Sequence, residues 1–288
     1  GRFSYEKKEI VAFNDMPRSP SLQLVLSQFD PASGSDNWEN FSWKLAVDYD
    51  IADDVMLYGT VSTGFKSGGY TGSATTAAGA TTPFEPEEAT NYEVGLKGDF
   101  FDSHLRVNLS GFYVDYKDLQ VTRFFQPPTS GAGEFITENA ANAEILGLEA
   151  EFTALLTDNL EIGGFYSYLD ATFEDFFGTP DISGGGDFSG NVLRQAPEHS
   201  AGGHIQYEFD LGGERGYLVA NANARYQSLS YTNVDNNPLD VIPEHTVADA
   251  WLAWHSNDDR WMVQAWVKNI TDEVYRTHVF TQRGNRIA

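Results

Sequence analysis

Along most of this chain, apolar and polar residues take turns one by one. In 104–113, Leu105, Val107, Leu109 and Tyr113 share one parity, and Arg106, Asn108 and Ser110 the other. In 146–156, Leu146, Leu148, Ala150, Phe152, Ala154 and Leu156 oppose Gly147, Glu149, Glu151 and Thr153. In 217–227, Leu218, Ala220, Ala222, Ala224 and Tyr226 oppose Asn221, Asn223, Arg225 and Gln227. A period of two belongs to a strand, whose successive side chains point to opposite faces. About eleven such segments can be read. The expectation is an all-β, antiparallel fold.

The connections differ in kind. Short turn signals stand at Ile51-Ala52-Asp53-Asp54, Phe101-Asp102-Ser103, Thr157-Asp158-Asn159, Gly212-Gly213-Glu214 and Ser256-Asn257-Asp258-Asp259. They recur every 45 to 55 residues or so. Between these hairpins lie long polar stretches: 10–37, 67–88, 124–139, 174–195 and 232–244. One short turn and one long loop for every two strands is the asymmetry of a transmembrane barrel. Sandwiches have more uniform connections.

The polar parity carries Lys44, Lys66, Glu93, Lys97, Arg106, Glu149, Glu151, Gln206 and Arg225, many at mid-strand. The apolar parity carries rings near strand ends: Trp43, Tyr49, Tyr92, Tyr113, Tyr166, Tyr168, Tyr207, Trp254 and Trp261. Amphipathic rings in those places suit the two interfaces of a bilayer. Leu105, Val107, Leu109, Phe152, Leu218 and Val263 are therefore expected to face lipid. Lys44, Lys97, Arg106, Glu149, Glu151 and Arg225 are expected to face a lumen. Aromatic residues make up 14% of the chain while mean hydropathy is only -0.37, which fits a sheet with two differently solvated faces. A secreted carbohydrate-binding β-sandwich, its aromatics packed in a core, is the alternative.

Chemistry is not indicated. No Cys is present, which excludes thiol ligands and a Cys nucleophile. His199 and His204 differ in parity, and His245 and His255 lie ten apart, so neither pair shares a metal on a strand. No nucleophile elbow, phosphate loop or EF-hand spacing occurs. Neither enzyme activity, a metal nor a cofactor is expected. A net charge of -24 argues against nucleic acid as a partner. No run of about 18 apolar residues exists, so membrane crossing would need a barrel. The opening Gly1-Arg2-Phe3-Ser4-Tyr5-Glu6 already alternates, so the start reads as processed or truncated.

Longer stretches resemble the TonB-dependent receptors of the bacterial outer membrane. "FSWKLAVDYDIADDVMLYGTVSTGFKSGGYTG" at 41–72 looks like that family's strand, turn and strand ending in Phe-Lys-x-Gly-Gly-aromatic. "FEPEEATNYEVGLKGDFFDSHLRVNLSGFYVDYKDLQV" at 84–121 is similar to the next hairpin. The stretches 138–176, 195–209 and 267–280 resemble later hairpins, in the family's order. The resemblance implies roughly the second half of a larger barrel. The plug domain, the TonB-engaging segment and the terminal strand are not seen. Residues 1–288 then form one partial barrel domain, an open half-barrel whose edge strands lie near Arg2–Lys8 and Trp261–Asn269.

It also implies TonB-energised uptake of a scarce small-molecule nutrient: siderophore-iron, cobalamin, haem or oligosaccharide. The implied partners are the TonB complex, outer-membrane lipid and lipopolysaccharide. A passive outer-membrane porin is a second alternative. Candidate ligand contacts are Tyr70, Arg123, Phe124, Phe125, Tyr231 and Asn233, since aromatic and Arg side chains at loop entries are enriched at binding hot spots. The five long stretches are acidic, which disfavours an anionic ligand.

Overall fold

The computed structural model describes residues 1–14, 29–74, 76–125, 134–178 and 186–279. The elements in chain order are β1 (Arg2–Asn14), β2 (Phe29–Ser42), β3 (Lys44–Ala52), β4 (Val55–Lys66), β5 (Gly69–Tyr70), α1 (Ala77–Thr81), β6 (Pro83–Phe84), β7 (Glu87–Phe100) and β8 (Leu105–Phe125). They continue with β9 (Glu134–Thr157), β10 (Leu160–Phe176), β11 (His199–Asp210), β12 (Tyr217–Gln227), β13 (Ser230–Tyr231), β14 (Val241–Ile242), β15 (His245–His255) and β16 (Met262–Val267). A single 3-10 turn spans Gly213–Arg215 among the described residues.

Ten strands form one antiparallel meander in the order β16-β15-β12-β11-β10-β9-β8-β7-β4-β3. The hairpin β1-β2 lies beside it, and β2 runs into β3 across Trp43. The sheet does not close among the described residues. Its edges, β3 and β16, are exposed along their whole length. An open edge in hydrocarbon leaves backbone groups without partners, so such a sheet belongs within a larger barrel.

Register shows how the two faces are made. Lys44 pairs Ser62, Ser62 pairs Asn91, Lys97 pairs Asn108, and Asn108 pairs Glu151. Glu151 pairs Phe165, Phe165 pairs Gly202, and Gly202 pairs Arg225. Lys44, Lys97, Arg106, Glu149, Glu151 and Arg225 therefore share one face. The opposite face holds Val47, Val94, Leu109, Leu148, Phe152 and Val263. No second sheet packs on it among the described residues: Val94 is 66% exposed and Leu148 57%. The sandwich reading is corrected here, because its apolar face would be buried.

The strands outrun a bilayer. β8 has 21 residues and β9 has 24, where crossing needs only about 9–11. Beyond the crossing part the two faces exchange character. On the parity of Glu149 and Glu151, Ile145 and Ala143 follow, and Ala143 is fully buried. On the parity of Phe165 and Ser167, Ala171 and Phe173 follow, with Phe173 3% exposed. Ala143 and Phe173 join Val121, Ala141, Phe176 and Val234 in a small core, covered by Phe188 and Leu193. On the other face Leu146 gives way to Glu144, and Tyr113 to Asp115. The Tyr113 hydroxyl donates to Glu144 Oε1 at 2.5 Å, where the apolar band ends.

Two expected loops are shorter than the sequence suggests. β1 reaches Asn14 and β2 starts at Phe29, inside the expected 10–37. β8 reaches Phe125 and β9 starts at Glu134, inside the expected 124–139. Polar residues interrupt the alternation there, yet the ladder runs on because the partner strand is present. The tight turns lie as expected. At Gly216 a Cβ would stand 1.8 Å from the His255 carbonyl oxygen, and φ is +77°, so no other residue fits.

Candidate functional site

At the loop end, the two motifs that carry the family resemblance are knitted together. Lys8 Nζ donates to Ser67 Oγ at 2.5 Å and to the Gly68 carbonyl at 2.8 Å, while Ser67 Oγ donates to Glu6 Oε2 at 2.6 Å. Trp38, buried, donates its indole N–H to Glu85 Oε2 at 3.1 Å. A Cβ on Gly68 would lie 2.4 Å from both the Phe84 carbonyl and the Trp38 ring. The Phe-Lys-x-Gly-Gly stretch thus needs glycine because an indole is pressed against its backbone.

Asn139 and Gln120 close the knot. Asn139 Nδ2 donates to the carbonyls of Glu85 and Asp118, and Gln120 Nε2 to those of Ser67 and Glu85. Backbone carbonyls that leave a ladder lose their strand partners, and these side-chain amides replace them. The sequence alone indicates none of these contacts. Their signal, an amide at each of two facing strand positions, becomes visible only with register.

The candidate ligand residues fall into separate places. Tyr70 lies in β5, its ring against Gly34, where an added Cβ would come within 2.9 Å of Cε1. Burial, and then the charge of Asp36, raise its hydroxyl pKa. Arg123 is only 8% exposed, and its Nε donates to Glu138 Oε1 at 2.6 Å. Tyr231 and Asn233 come together: Tyr231 pairs Val241 in β14, and Asn233 Nδ2 donates to Asp240 Oδ2 at 2.8 Å. The backbones of Phe124 and Phe125 continue β8, and their side chains lie outside the described part of the structure. Thr71 beside Tyr70 accepts from the Thr137 N–H, adjacent to the partner of Arg123, so the first two places adjoin.

Below the loops, the polar face is ordered by cross-strand pairs. Arg106 holds Asp99 through a fork, Nε–Oδ1 2.7 Å and Nη2–Oδ2 2.9 Å. Tyr58 donates to Glu93 at 2.7 Å, with Lys97 Nζ 5.5 Å from its ring. Tyr58, Lys97, Ser110, Glu149, Glu151 and Phe165 border a hollow of about 420 Å³. His204 meets Glu161 at 3.0 Å on this face, and His199 meets the Tyr166 hydroxyl at 2.9 Å on the other, so the two histidines do point apart. The arrangement offers a wetted wall with fixed charges and, among the described residues, no assembled nucleophile.

A meander of this kind, apolar and exposed on one side and polar on the other, defines an outer-membrane barrel wall. Residues 2–270 match the family described as TonB dependent receptor-like, beta-barrel. The chain belongs to this family of outer-membrane proteins. It is 28% identical over 204 residues to the metal-pseudopaline receptor of Pseudomonas aeruginosa, covering 67% of this chain and 26% of that one. It is 25% identical over 216 residues to the ferrichrome outer membrane transporter/phage receptor of Escherichia coli, covering 75% and 26%. Among solved structures, the ferric yersiniabactin uptake receptor of Yersinia pestis superposes with a TM-score of 0.78 at 21% identity, covering 97% of this chain and 38% of that one. The chain spans about a quarter of the length of these curated relatives.

Proposed function

We propose that this chain is part of the wall of a receptor for TonB-energised uptake of a small-molecule nutrient, of the metal–siderophore kind. The observation that carries the reading is the division of one family barrel sheet into an exposed apolar face and a charged face. Lipid and lipopolysaccharide would solvate the first. Lys44, Lys97, Arg106, Glu149, Glu151 and Arg225 would line the lumen on the second. Tyr70, Tyr231 and Asn233 would contact the ligand, with Arg123 holding Glu138 beneath them. Phe124 and Phe125 complete that set by position. TonB would act through a plug segment outside this chain, and residues 1–288 would be one partial barrel domain. Relatives named as receptors for metal-pseudopaline and ferripyoverdine, matched over 67–68% of this chain against 46% for one named a vitamin B12 transporter, support the metal-chelate class.

The test is growth under metal limitation. A strain lacking the full-length gene should lose growth on one class of metal chelate and regain it on complementation, only when TonB is present. Uptake that persists without TonB would make the protein a passive pore and overturn the reading.

A further inference from the structure

We propose that Gly95, Gly147, Gly163 and Gly202 are size-determining positions of the transport path: recesses that hold facing rings flat on the polar face and so set its clearance. This deepens the receptor reading and rests on it. Each glycine stands opposite an aromatic side chain in the ladder: Gly95 opposite Tyr58, Gly147 opposite Phe112, Gly163 opposite His204 and Gly202 opposite Phe165. All of them share the parity of Lys97 and Glu149. A Cβ on Gly95 would stand 2.4 Å from Tyr58 Cε1, and one on Gly147 2.2 Å from Phe112 Cζ. On Gly163 it would stand 2.4 Å from His204 Cε1, and on Gly202 2.5 Å from Phe165 Cε1. Each ring therefore lies over the space that a side chain would fill.

The outward face differs. There Gly59 is open, with the Glu93 carbonyl oxygen at 4.0 Å as the nearest atom. Gly111 meets Leu148 at 3.2 Å, Gly164 meets the Gly202 carbonyl and Phe152 at 3.0 Å, and Gly98 meets Phe100 at 2.8 Å. Outside a curved wall side chains diverge into lipid, which yields; inside they converge on a fixed space. The height of a ring matters only inside. A ring laid on glycine also covers the weak spot that glycine makes in a strand. That role alone gives no reason for the inward rings to sit closest.

The pairs also follow one another down the wall. Phe112 and Gly147 lie in the row of Glu93, Tyr58 and Gly95 in the row of Ser110 and Glu149, Phe165 and Gly202 in the row of Lys97 and Glu151, and His204 and Gly163 in the row of Arg106. These are four consecutive inward rows, read from the loop end towards the tight turns. The room they keep is present: Tyr58, Phe165, Ser110 and Glu149 border the hollow of about 420 Å³. Phe165 is 48% exposed, with Gly202 behind it. A methyl at Gly95 or Gly202 must lift the ring by about 1 Å to reach ordinary contact at 3.4 Å, or swing it to another rotamer. Either movement carries it away from the wall and narrows the path.

The test places Ser110→Cys in the full-length receptor in bilayers, since this chain has no cysteine of its own. Labelling rates are measured with two methanethiosulfonates of equal charge, a small aminoethyl one and a bulky triethylammoniopropyl one. Adding Gly95→Ala or Gly202→Ala should slow the bulky reagent at least about fivefold and the small one less than about twofold. Removing the ring as well, with Phe165→Ala beside Gly202→Ala, should restore the bulky rate. A ring that merely covers a weak strand predicts no such recovery. Gly59→Ala on the outward face should leave both rates as they were. An unchanged bulky rate in both glycine variants, or no recovery on removing the ring, overturns the proposal. So does a position 110 that even the small reagent does not reach, because a ring would then have no clearance to set. If the alanine variants do not fold, Phe165→Ala alone decides: it should speed the bulky reagent at least about twofold, and an unchanged rate overturns the proposal. Uptake that persists without TonB would instead sink the receptor reading and leave these rates untouched.

Discussion

The lower and upper parts of β8, β9 and β10 obey opposite rules while keeping one unbroken ladder. Near the tight turns, Leu109, Leu148 and Phe152 stand exposed on one face, and Asn108 reaches Glu151 on the other. Towards the loops the first face becomes Asp115 and Glu144, and the second becomes Ala143, Ala171 and Phe173, all buried. A strand has no preference for which face is apolar; solvent decides. On the proposed reading, the solvent outside the lower part is hydrocarbon. Above, it is water, and the inward parity becomes the apolar one and packs under the loops. The change falls at Tyr113 and Leu146, where a phenol hydroxyl reaches a carboxylate. That is where a ring with one wet end belongs.

Four substitutions and three comparison variants would break or sharpen this contrast, all in the full-length receptor folded into bilayers and followed by denaturant titration. The largest effect is expected from Ala143→Arg, which forces a long cation into a fully buried site. It should cost at least about 4 kcal/mol, from overpacking plus an unpaired buried charge. A charge change at Glu149→Arg on the same face, nearer the turn, should cost far less.

Next comes Leu109→Arg, expected to cost about 2–4 kcal/mol at a lipid-facing midplane position. Asp115→Arg, on the same parity of the same strand, should be close to neutral, as should Asn108→Arg on the opposite parity. Equal costs at Leu109 and Asp115 would mean that the faces do not exchange roles. Tyr113→Phe removes the hydrogen bond to Glu144 at the boundary and should cost about 1 kcal/mol.

The smallest effect is at the β15–β16 turn. There the Ser256 hydroxyl, and then the Arg260 N–H, hold the Asp258 carboxyl below its ordinary pKa. A depressed carboxylate stabilises above its unfolded pKa, and the gain fades as pH falls through and below about 4. Asp258→Asn should flatten that acid dependence slightly and leave stability at pH 7 within experimental scatter of wild type.

Much of the fold was legible because its signal is local. The parity of Leu105 to Tyr113, and the turn residues Asp102-Ser103 and Asp258-Asp259, need no tertiary information. The exchange of faces was not legible. The sequence carries only its trace, a shift of apolar residues from odd positions (Leu105, Val107, Leu109) to even ones (Phe112, Val114, Tyr116), and nothing in a period of two says which solvent each face meets. Loop limits failed for a related reason. Glu134 and Asn139 look like loop residues, yet they sit in a ladder held by a neighbouring strand. At the site, Arg123 reads as a free recognition group until register places Glu138 within reach. Tyr231 and Asn233 are near in sequence, and their shared loop is held by Asp240.

The central claim is that the odd positions of β8 face lipid near the turn and water beyond Tyr113. It is tested most directly by spin labels placed singly at positions 105 to 110 and at 115 of the full-length receptor in bilayers. Collision rates with oxygen, which partitions into lipid, and with a polar nickel chelate would be compared at each position. Labels at 105, 107 and 109 should favour oxygen, those at 106, 108 and 110 the chelate, and the label at 115 should have crossed to the chelate. Oxygen preference at the even positions, or at 115 as strongly as at 109, would contradict the account.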